Sequence, residues 1–249
     1  MKNNSAYSTL ADWFEYLNDD CDYENWSQYL IEGLEKNLLN KPPLCKGLDA
    51  GCGSGYFTRA FTKHGFSMTG LDVSVEMLDK ARSLSLKEGV STEFLLGDIS
   101  KFKSPTRYHF VTAINDCINY LPKTRLLSAF KRVKDCLCKD GLFIFDVSSK
   151  GKFLKKIANT VSVDDRDEVT YLSFNEVDGD KVTMDVTLFV KTNGSAYERF
   201  DERHTQYIYC EEEILSALEQ AGFEVIKVEG IYGEDKSSTD RIYFFAKRK

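Results

Sequence analysis

The sequence predicts an α/β protein: a mostly parallel sheet with helices on both faces, carrying a small antiparallel sheet as an insertion. Short apolar runs alternate with helix-length periodic segments from Leu44 to Val147, which is typical of β-α-β units. A glycine-rich loop, Gly51 to Gly55, follows the first apolar run. After Ala158 the apolar residues recur with a period of two, which is typical of antiparallel strands.

The parallel part of the sheet is predicted from five apolar runs in chain order: CKGLDA, SMTGLDV, TEFLLGD, HFVTAIN and GLFIFDV. The last run is apolar on both faces, as a buried parallel strand should be. Helix ends are also marked in the sequence. We expect Gly65 to end the helix after the first strand, Ser74 to cap the next helix, and another helix to follow Pro122.

The inserted sheet is predicted over roughly Glu168 to Tyr209, where DGD and NGS are hairpin signals on either side of an alternating run. A helix ended by Gly222 and two strands, FEVIKVEG and RIYFFAK, then complete the main sheet. We therefore expect one domain formed by residues 1–157 and 210–249, with residues 158–209 as a β-sheet lid. Residues 1–40 would form a helical N-terminal cover.

The N-terminal segment from Tyr7 to Leu39 has a helical period and is rich in aromatic residues, namely Trp13, Phe14, Tyr16, Tyr23, Trp26 and Tyr29. Two interpretations stay open. The segment is either a helix pair packed on the sheet or a cover over a ligand, and a cover must also pack.

Three acids lie at the carboxyl ends of the first three predicted strands: Asp49, Asp72 and Asp98. In an open α/β sheet, ligands bind beyond these strand ends. Asp72 stands about twenty residues after the glycines, which is the spacing at which an acid meets ribose hydroxyls. Asp98 could accept a hydrogen bond from an adenine amino group. The acids together predict an adenosine-containing ligand.

Asp49 discriminates between such ligands. A pyrophosphate on the glycine loop would be repelled by a carboxylate immediately before that loop, whereas an ammonium or a sulfonium would be attracted. S-adenosylmethionine carries both cations. The spacing of Gly51, Gly53 and Gly55 is G-x-G-x-G, which differs from the dinucleotide pattern G-x-G-x-x-G, and no G-K-[ST] follows it.

Four segments, LDAGCGSGYFT, GLDVSVEML, LLGDI and LCKDGLFIFDV, resemble the successive motifs of class I S-adenosylmethionine-dependent methyltransferases. The resemblance covers nearly the whole chain. The N-terminal pattern Y-x-x-L-A…D-Y-x-x-W and the later YERFDERH are similar to a bacterial subgroup with an inserted β-sheet, akin to sugar N,N-dimethyltransferases. The resemblance implies a Rossmann-like, seven-stranded sheet of order 3-2-1-4-5-7-6 with the seventh strand antiparallel.

The resemblance also implies roles for single residues. Asp49 would hold the methionyl amino group, Asp72 the ribose hydroxyls, and Met77 would pack on the adenine, while Asp98 and the Ile99 backbone would read its edge. The complete candidate set for the cofactor is Tyr7, Trp26, Asp49, Ala50, Gly51, Cys52, Gly53, Asp72, Val73, Met77, Asp98, Ile99 and Asn115. Many relatives carry Tyr-Asp where this chain has Phe14-Glu15, so position 14 offers no hydroxyl.

The methyl acceptor is expected where the fourth strand ends, in AINDCINYL. The candidate substrate contacts there are Asp116, Asn119 and Tyr120, and Asn115 and Asp116 could contact the cofactor, the acceptor or both. The alternative is that these polar residues close a helix N-terminus. His64 is expected at a helix C-terminus and His109 in a structural position. His204, in the insertion, is the candidate substrate contact and catalytic base.

Composition excludes some classes of function. The net charge of −6 disfavours a nucleic-acid binder, which needs a basic stripe, and no N-P-P-Y motif follows the fourth strand. No apolar run approaches the roughly 18 residues of a membrane span, and the N-terminus lacks the apolar core of a signal peptide. Seven scattered cysteines without paired zinc spacing predict neither disulfides nor a metal site. A cytoplasmic monomer or homodimer is expected.

The leading hypothesis is an S-adenosylmethionine-dependent methyltransferase that transfers a methyl group by in-line displacement to nitrogen or oxygen of a small molecule, leaving S-adenosylhomocysteine. A protein acceptor is the other open class. Two rival functions are kept: an NAD(P)-dependent oxidoreductase, and a non-catalytic module that binds S-adenosylmethionine. The glycine spacing and Asp49 oppose the oxidoreductase.

Overall fold

The computed structural model describes residues 6–39 and 41–249. Its elements in chain order are α1 Leu10–Leu17, α2 Tyr23–Asn37, β1 Lys46–Ala50, α3 Tyr56–Lys63, β2 Ser67–Asp72, α4 Val75–Lys87, β3 Glu93–Leu96, β4 Tyr108–Ala113, a 3₁₀ turn Cys117–Tyr120, α5 Lys123–Cys136, β5 Leu137–Ser148, α6 Lys150–Lys152 with a π-helical continuation Phe153–Ile157, β6 Val161–Asp165, β7 Val169–Asp178, β8 Lys181–Lys191, β9 Tyr197–Tyr207, α7 Glu211–Ala221, β10 Phe223–Gly230, a 3₁₀ turn Ile231–Gly233 and β11 Arg241–Arg248.

The main sheet has seven strands in the order β10-β11-β5-β4-β1-β2-β3. Strands β1 to β5 pair in parallel, and β11 is antiparallel to both β5 and β10. Numbered within this sheet alone, the order reads 3-2-1-4-5-7-6, as the resemblance implied; the chain-wide numbers differ because four strands of the insertion intervene. The predicted fold class is confirmed.

The second sheet is antiparallel, with the order β6-β7-β8-β9, and we call it the lid sheet. Its two predicted hairpins are present, with Gly179 and Gly194 in the left-handed conformation at the turns (φ +58° and +70°). Strand β6 lies within the predicted lid range, residues 158–209, but the predicted strands began only at Glu168, so β6 itself was not predicted. That strand has only two apolar residues, Val161 and Val163, and both are exposed at the edge of the sheet.

The helix boundaries follow the predicted signals. Ser74 caps α4, since its hydroxyl accepts a hydrogen bond from the Met77 N–H at 3.1 Å. Gly65 directly follows the last turn of α3, and Gly222 ends α7; both have positive φ (+104° and +86°). Helix α5 begins directly after Pro122. Local sequence therefore sets where each helix begins and ends.

Helices cover both faces of the main sheet. On one face α5 and α7 pack against an apolar cluster that includes Phe130, Phe143 and Phe145. On the other face α2 and α3 pack against a cluster that includes Phe110 and Phe245. These two layers leave the carboxyl ends of the parallel strands as the edge where side chains from several elements meet.

The two N-terminal helices have different partners. Helix α2 packs on the main sheet, where a Cβ at Gly33 would lie 2.7 Å from the Phe245 ring. Helix α1 packs on the lid sheet, since Leu10 joins an apolar cluster with Val169, Val186 and Leu188. The packing interpretation therefore describes α2, and the covering of a ligand by α1 stays a prediction. Within the described ranges, no helix has the length and apolar character needed to cross a membrane.

Candidate functional site

The glycine loop joins β1 to α3 and bends back onto β2. The N–H groups of Gly51 and Cys52 both donate to the Leu71 carbonyl, at 2.7 and 3.0 Å. Gly51 and Gly53 have φ of +72° and +53°, which side chains other than glycine rarely adopt. A Cβ at Gly51 would lie 2.3 Å from the Cys117 Sγ. The loop therefore has no room for a side chain at Gly51, and it touches the turn that follows β4.

Asp72, at the end of β2, holds the loop in place. Its carboxylate accepts the Gly53 N–H at 2.8 Å and the Ser74 N–H at 2.9 Å. Burial raises the pKa of Asp72, and these backbone donors partly oppose that shift. A carboxylate has about four acceptor sites, so two hydrogen bonds leave capacity for ribose hydroxyls.

Asp49 lies beneath the loop and is almost fully buried. It accepts hydrogen bonds from the hydroxyls of Thr58 at 2.6 Å and Thr112 at 3.0 Å. Burial raises the pKa of Asp49 to about 6, the two threonine hydroxyls oppose the rise, and the charge of Asp72 adds to it. The ionised form of Asp49 is therefore costly in the protein without a ligand, and a neighbouring cation would stabilise it.

Apolar side chains near Asp72 and Asp98 are exposed at the carboxyl ends of β2 and β3. Val73, directly after β2, is 68% exposed, and Leu96, which ends β3, is 60% exposed. Met77 is buried near Gly53, where a Cβ would stand 4.0 Å from its sulfur. Two exposed apolar residues at neighbouring strand ends are what a flat apolar ligand would cover.

Asp98 follows β3, as predicted. Its carboxylate accepts the N–H and the hydroxyl of Ser100, at 2.8 and 2.7 Å, and lies 3.4 Å from Arg125. Although burial raises the pKa of Asp98, the Ser100 hydrogen bonds and the charges of Lys101 and Arg125 bring it below its usual range. Ile99 beside it is buried. Asp98 is therefore ionised at neutral pH and able to accept a hydrogen bond.

The segment after β4 contains two consecutive residues in the left-handed conformation, Asn115 and Asp116 (φ +64° and +66°). Their N–H groups both point at the carboxylate of Asp146, at 2.7 and 3.2 Å. Non-glycine residues in this conformation cost free energy and persist only where the surroundings hold them. Asp146 thus fixes the backbone that carries two of the candidate site residues.

Arg241, the first residue of β11, neutralises this cluster. Its guanidinium forms ion pairs with Asp146 and with Asp116, the latter at 3.1 Å, and donates to the Asn115 side-chain oxygen at 3.2 Å. Lys152 lies 3.5 Å from Asp116. Burial raises the pKa of Asp116, but the charges of Arg241 and Lys152 bring it below its usual value, whereas burial and Asp116 raise that of Asp146.

Sequence reasoning missed Asp146, Arg241 and Lys152. Asp146 stands at the end of β5, so the rule that found the first three acids applies to it as well, but it is enclosed in the apolar run GLFIFDV. Arg241 had no local signal, because its partner is 95 residues away. The prediction included only one member of the charged cluster, Asp116.

Two predicted contacts lie in structural positions. Asn119 is buried, its amide nitrogen donates to the Tyr207 carbonyl, and its amide oxygen accepts the Ser148 N–H. It therefore ties the 3₁₀ turn to β5 and β9, and its contact with a substrate stays a prediction. Trp26 is buried on α2, and the Arg241 guanidinium lies 4.6 Å from its ring centroid. Trp26 therefore packs against the charged cluster.

Tyr7, Tyr120 and His204 come together from three distant parts of the chain. The Tyr7 and Tyr120 hydroxyls lie 2.7 Å apart, and the Tyr120 hydroxyl lies 3.1 Å from His204 Nδ1. His204 Nε2 faces the Glu202 carboxylate at 3.2 Å. Tyr120 is the last residue of the 3₁₀ turn whose first residue, Cys117, touches Gly51. The candidate base therefore connects to the glycine loop through one short turn.

Glu15 occupies the position after Phe14, where the resemblance marked a departure. Its carboxylate accepts the Ser54 hydroxyl at 2.6 Å and forms an ion pair with Arg59 at 3.0 Å. Arg59 also donates to the Ser54 carbonyl. Glu15 thus anchors α1 to the glycine loop. A groove of about 430 Å³ opens here, lined by Glu15, Tyr23, Tyr56 and the connection between α1 and α2.

The remaining histidines lie where the sequence indicated. His109, in β4, accepts the Lys46 N–H at 2.9 Å, and His64 directly follows α3 and contacts Glu35 at 3.1 Å. Neither approaches the residues described above. Among residues 6–39 and 41–249, no three His, Cys, Asp or Glu side chains are arranged to hold a metal ion.

The sheet order, the glycine loop and the strand-end acids define an α/β protein of the kind that binds ligands beyond the carboxyl ends of its parallel strands. Comparisons with known proteins give the class more closely. A family profile described as "Methyltransferase domain" matches residues 48–141. A protein of Geobacillus sp. (strain WCH70), provisionally named a methyltransferase, is 27% identical over 98% of this chain and 100% of its own length.

Solved structures agree. An S-adenosylmethionine-dependent methyltransferase from Clostridium acetobutylicum ATCC 824 has a TM-score of 0.85 at 29% identity, covering 95% of this chain and 96% of that one. The sugar N-methyltransferase KedS8 from Streptoalloteichus sp ATCC 53650 has a TM-score of 0.83 at 19% identity, covering 100% and 96%, and at this identity it shows the fold. The protein is an S-adenosylmethionine-dependent methyltransferase with a Rossmann-like fold, and S-adenosylmethionine is its cofactor.

Proposed function

We propose that the enzyme methylates a nitrogen or oxygen atom of a small molecule by in-line displacement. The observation that carries this proposal is the 3₁₀ turn Cys117–Tyr120, which contacts the glycine loop at Gly51 and His204 on the lid sheet. One turn thus joins the cofactor loop to the polar groups of the insertion. An acceptor bound beside this turn would lie next to both the cofactor loop and the insertion.

Ten of the thirteen predicted cofactor residues are proposed in roles that their surroundings support, and cofactor contacts of Tyr7, Trp26 and Asn115 stay predictions. Asp72 binds the ribose hydroxyls with the acceptor capacity that Gly53 and Ser74 leave, and Val73 covers one face of the adenine. Asp49 supplies negative charge beneath the methionyl ammonium. Gly51 and Gly53, with Ala50 and Cys52, let the ligand approach the backbone. Met77 packs on the adenine, and Asp98 and the Ile99 backbone bind its edge.

S-adenosylmethionine, when bound, supplies a methyl group on a positively charged sulfur. The chain has to align the acceptor atom with that methyl group and to exclude water. Helix α1 and the lid sheet pack on each other through Leu10, Val186 and Leu188, and they are suited to exclude water.

Asp72→Ala tests the cofactor assignment. We expect S-adenosylhomocysteine to bind the unaltered protein with a micromolar dissociation constant, and the substitution to weaken binding by about 100-fold, because hydrogen bonds to a charged group contribute roughly 1.5–3 kcal/mol each. The measurement is isothermal titration calorimetry. Asp79→Ala, an exposed acid on α4 paired with Arg82, is the matched control and should bind normally. Equal affinity of Asp72→Ala and the control contradicts the assignment, and no heat from the unaltered protein contradicts the proposed function.

Other expectations stay proposals. We propose that residues 158–209 act as one lid unit within a domain formed by residues 1–157 and 210–249. We also propose a cytoplasmic monomer or homodimer that does not act on nucleic acid, on the ground of its net charge of −6.

A further inference from the structure

Glu202, on β9, is a buried carboxylate with an unusual set of partners. It accepts hydrogen bonds from one short N-terminal segment, through the N–H groups of Tyr7, Thr9 and Leu10 and the hydroxyl of Ser8, at 2.8, 2.6, 2.9 and 3.1 Å. The same carboxylate faces His204 Nε2. One side chain of the lid sheet therefore holds the N-terminal segment and orients the histidine.

The partners of Glu202 fix its charge. Burial raises the pKa of Glu202, but the hydrogen bonds from His204 and from the Leu10 and Thr9 N–H groups bring it below its usual value. The carboxylate is therefore ionised at neutral pH and can only accept hydrogen bonds. His204 Nε2 must then carry a hydrogen, and in the neutral ring Nδ1 is left as an acceptor.

The direction of the next two hydrogen bonds follows from that tautomer. Because Nδ1 accepts, the Tyr120 hydroxyl donates to it, and the Tyr120 oxygen is left to accept from the Tyr7 hydroxyl. Burial raises the pKa values of both phenols, so each keeps its proton at neutral pH. The Tyr7 oxygen accepts no hydrogen bond from Tyr120 or His204. Tyr7 is therefore the last group of the row, and its oxygen has a lone pair available to a ligand.

The ionisable and polar groups facing this row come from each element packed against it. Asp116 approaches Tyr7 and Tyr120 from the segment after β4, Asp72 approaches Tyr7 from β2, Tyr171 on β7 faces Tyr120 and Glu202, and Gln206 on β9 faces Tyr120. These groups surround the row formed by Tyr7, Tyr120 and His204.

We propose that Tyr7, Tyr120 and His204 form a proton relay that accepts the hydrogen of the acceptor's reacting atom, with Glu202 as the positioning residue that docks Tyr7 and fixes the histidine tautomer. This inference rests on the proposed function. It narrows the substrate class to hydroxyl groups and to amines that bear a hydrogen. A tertiary amine or an ionised carboxylate has no such hydrogen to give.

The step balances in atoms and charge. A lone pair of the acceptor nitrogen or oxygen forms the bond to the methyl carbon, and the electron pair of the broken carbon–sulfur bond stays on sulfur. The acceptor's proton moves to the Tyr7 oxygen, the Tyr7 proton to the Tyr120 oxygen, and the Tyr120 proton to His204 Nδ1. The resulting imidazolium lies against the Glu202 carboxylate and later releases the proton to water.

The first test needs no acceptor. The chain has three histidines, so ¹⁵N-histidine NMR of the S-adenosylhomocysteine complex resolves His204 once His64→Gln and His109→Gln samples assign the other two. In the neutral ring we expect the hydrogen on Nε2. Glu202→Gln should speed hydrogen exchange of the Thr9 and Leu10 amides, because an amide oxygen accepts hydrogen bonds more weakly than a carboxylate. The matched control is Asp201→Asn, an acid on the same strand that instead binds Thr187 and Arg199.

A hydrogen on Nδ1 of the neutral ring in the unaltered protein overturns the relay, and unchanged exchange of the Thr9 and Leu10 amides in Glu202→Gln overturns the positioning role of Glu202. Calorimetry on the unaltered protein separates these outcomes from failure of the proposed function. If the unaltered protein gives no binding heat, the proposed function has failed instead.

The second test measures release of S-adenosylhomocysteine with a panel of alcohols, phenols, primary and secondary amines, and tertiary amines as matched negatives. We expect turnover only with acceptors that bear a hydrogen. His204→Asn, which keeps an acceptor near the Nδ1 position, should lower kcat by about 100-fold or more, the usual contribution of a general base, with S-adenosylhomocysteine affinity unchanged. Release with tertiary amines, no release from any hydrogen-bearing acceptor, or full activity of His204→Asn contradicts the inference.

Discussion

Asp49→Asn is expected to stabilise the ligand-free enzyme and to weaken its binding of cofactor. The pKa of Asp49 is raised from 3.8 to about 6, and each unit of pKa corresponds to about 1.4 kcal/mol, so the ionised carboxylate costs on the order of 3 kcal/mol at pH 8. Asparagine removes the charge and can still bond Thr58 and Thr112. Urea unfolding should show a gain of about 2 kcal/mol, and the melting temperature should rise by roughly 5 °C.

The gain in stability must depend on pH in a definite direction. A carboxyl group with a raised folded-state pKa holds its proton longer in the folded protein than in the unfolded chain. Its contribution therefore lowers stability as pH rises from about 4 to about 6, and below pH 4 the contribution vanishes. The difference between Asp49→Asn and the unaltered protein should be largest above pH 6 and absent near pH 4.

Cofactor binding should become weaker in Asp49→Asn, although the variant is more stable. The ionised carboxylate attracts the methionyl ammonium, so Asp49→Asn should bind S-adenosylhomocysteine at least about tenfold more weakly at pH 8, equal to about 1.4 kcal/mol. In the unaltered protein the advantage should fade below about pH 6, as Asp49 becomes protonated. A variant that is less stable and binds normally would assign Asp49 a structural role only.

Arg241→Met should strongly lower the free energy of unfolding. Arg241 forms ion pairs with Asp116 and Asp146 in a buried cluster, and removing one member of a buried pair costs about 3–5 kcal/mol because a charge is left uncompensated. Methionine keeps much of the side-chain volume over Trp26. We expect a melting temperature roughly 10 °C lower.

Two further variants separate charge from packing. Asp146→Asn in the Arg241→Met background removes one of the two stranded carboxylates, so it should recover part of the lost free energy of unfolding in a double-mutant cycle. Arg241→Lys keeps the charge but loses the forked guanidinium that reaches both acids and Asn115. Its free energy of unfolding should lie between those of the unaltered protein and Arg241→Met. A loss below about 1 kcal/mol in Arg241→Met would show that the cluster contributes little.

Most of the fold could be predicted because its signals are local. Buried parallel strands such as GLFIFDV are continuous apolar runs, and Ser74 and Gly222 mark helix ends by their own chemistry. Strand β6 could not be predicted in this way. Its sequence VSVDD is short, and the strand is recognisable only through its pairing with β7.

The site was predictable only where one element carries the signal. Asp49, Asp72 and Asp98 each lie at or just after the carboxyl end of a strand, so chain position alone brings them to one edge. Glu202 resembled an ordinary polar residue on an alternating strand, because its partners are N–H groups up to 195 residues away. Main-chain N–H groups are present in every residue except proline, so they give no specific sequence signal. The Arg241 and Glu202 contacts exist only once the strands have assembled.

Attachment of the N-terminal segment through Glu202 has a consequence for how the sequence of that segment can vary. Three of the four N-terminal donors are main-chain N–H groups, which every residue except proline provides. A substitution at position 9 can therefore change the side chain and keep the anchor intact. At position 7 the main-chain anchor would also survive, but the hydroxyl that the relay needs would be lost. The attachment of the segment and its proposed chemistry thus depend on different atoms, and one can change without the other.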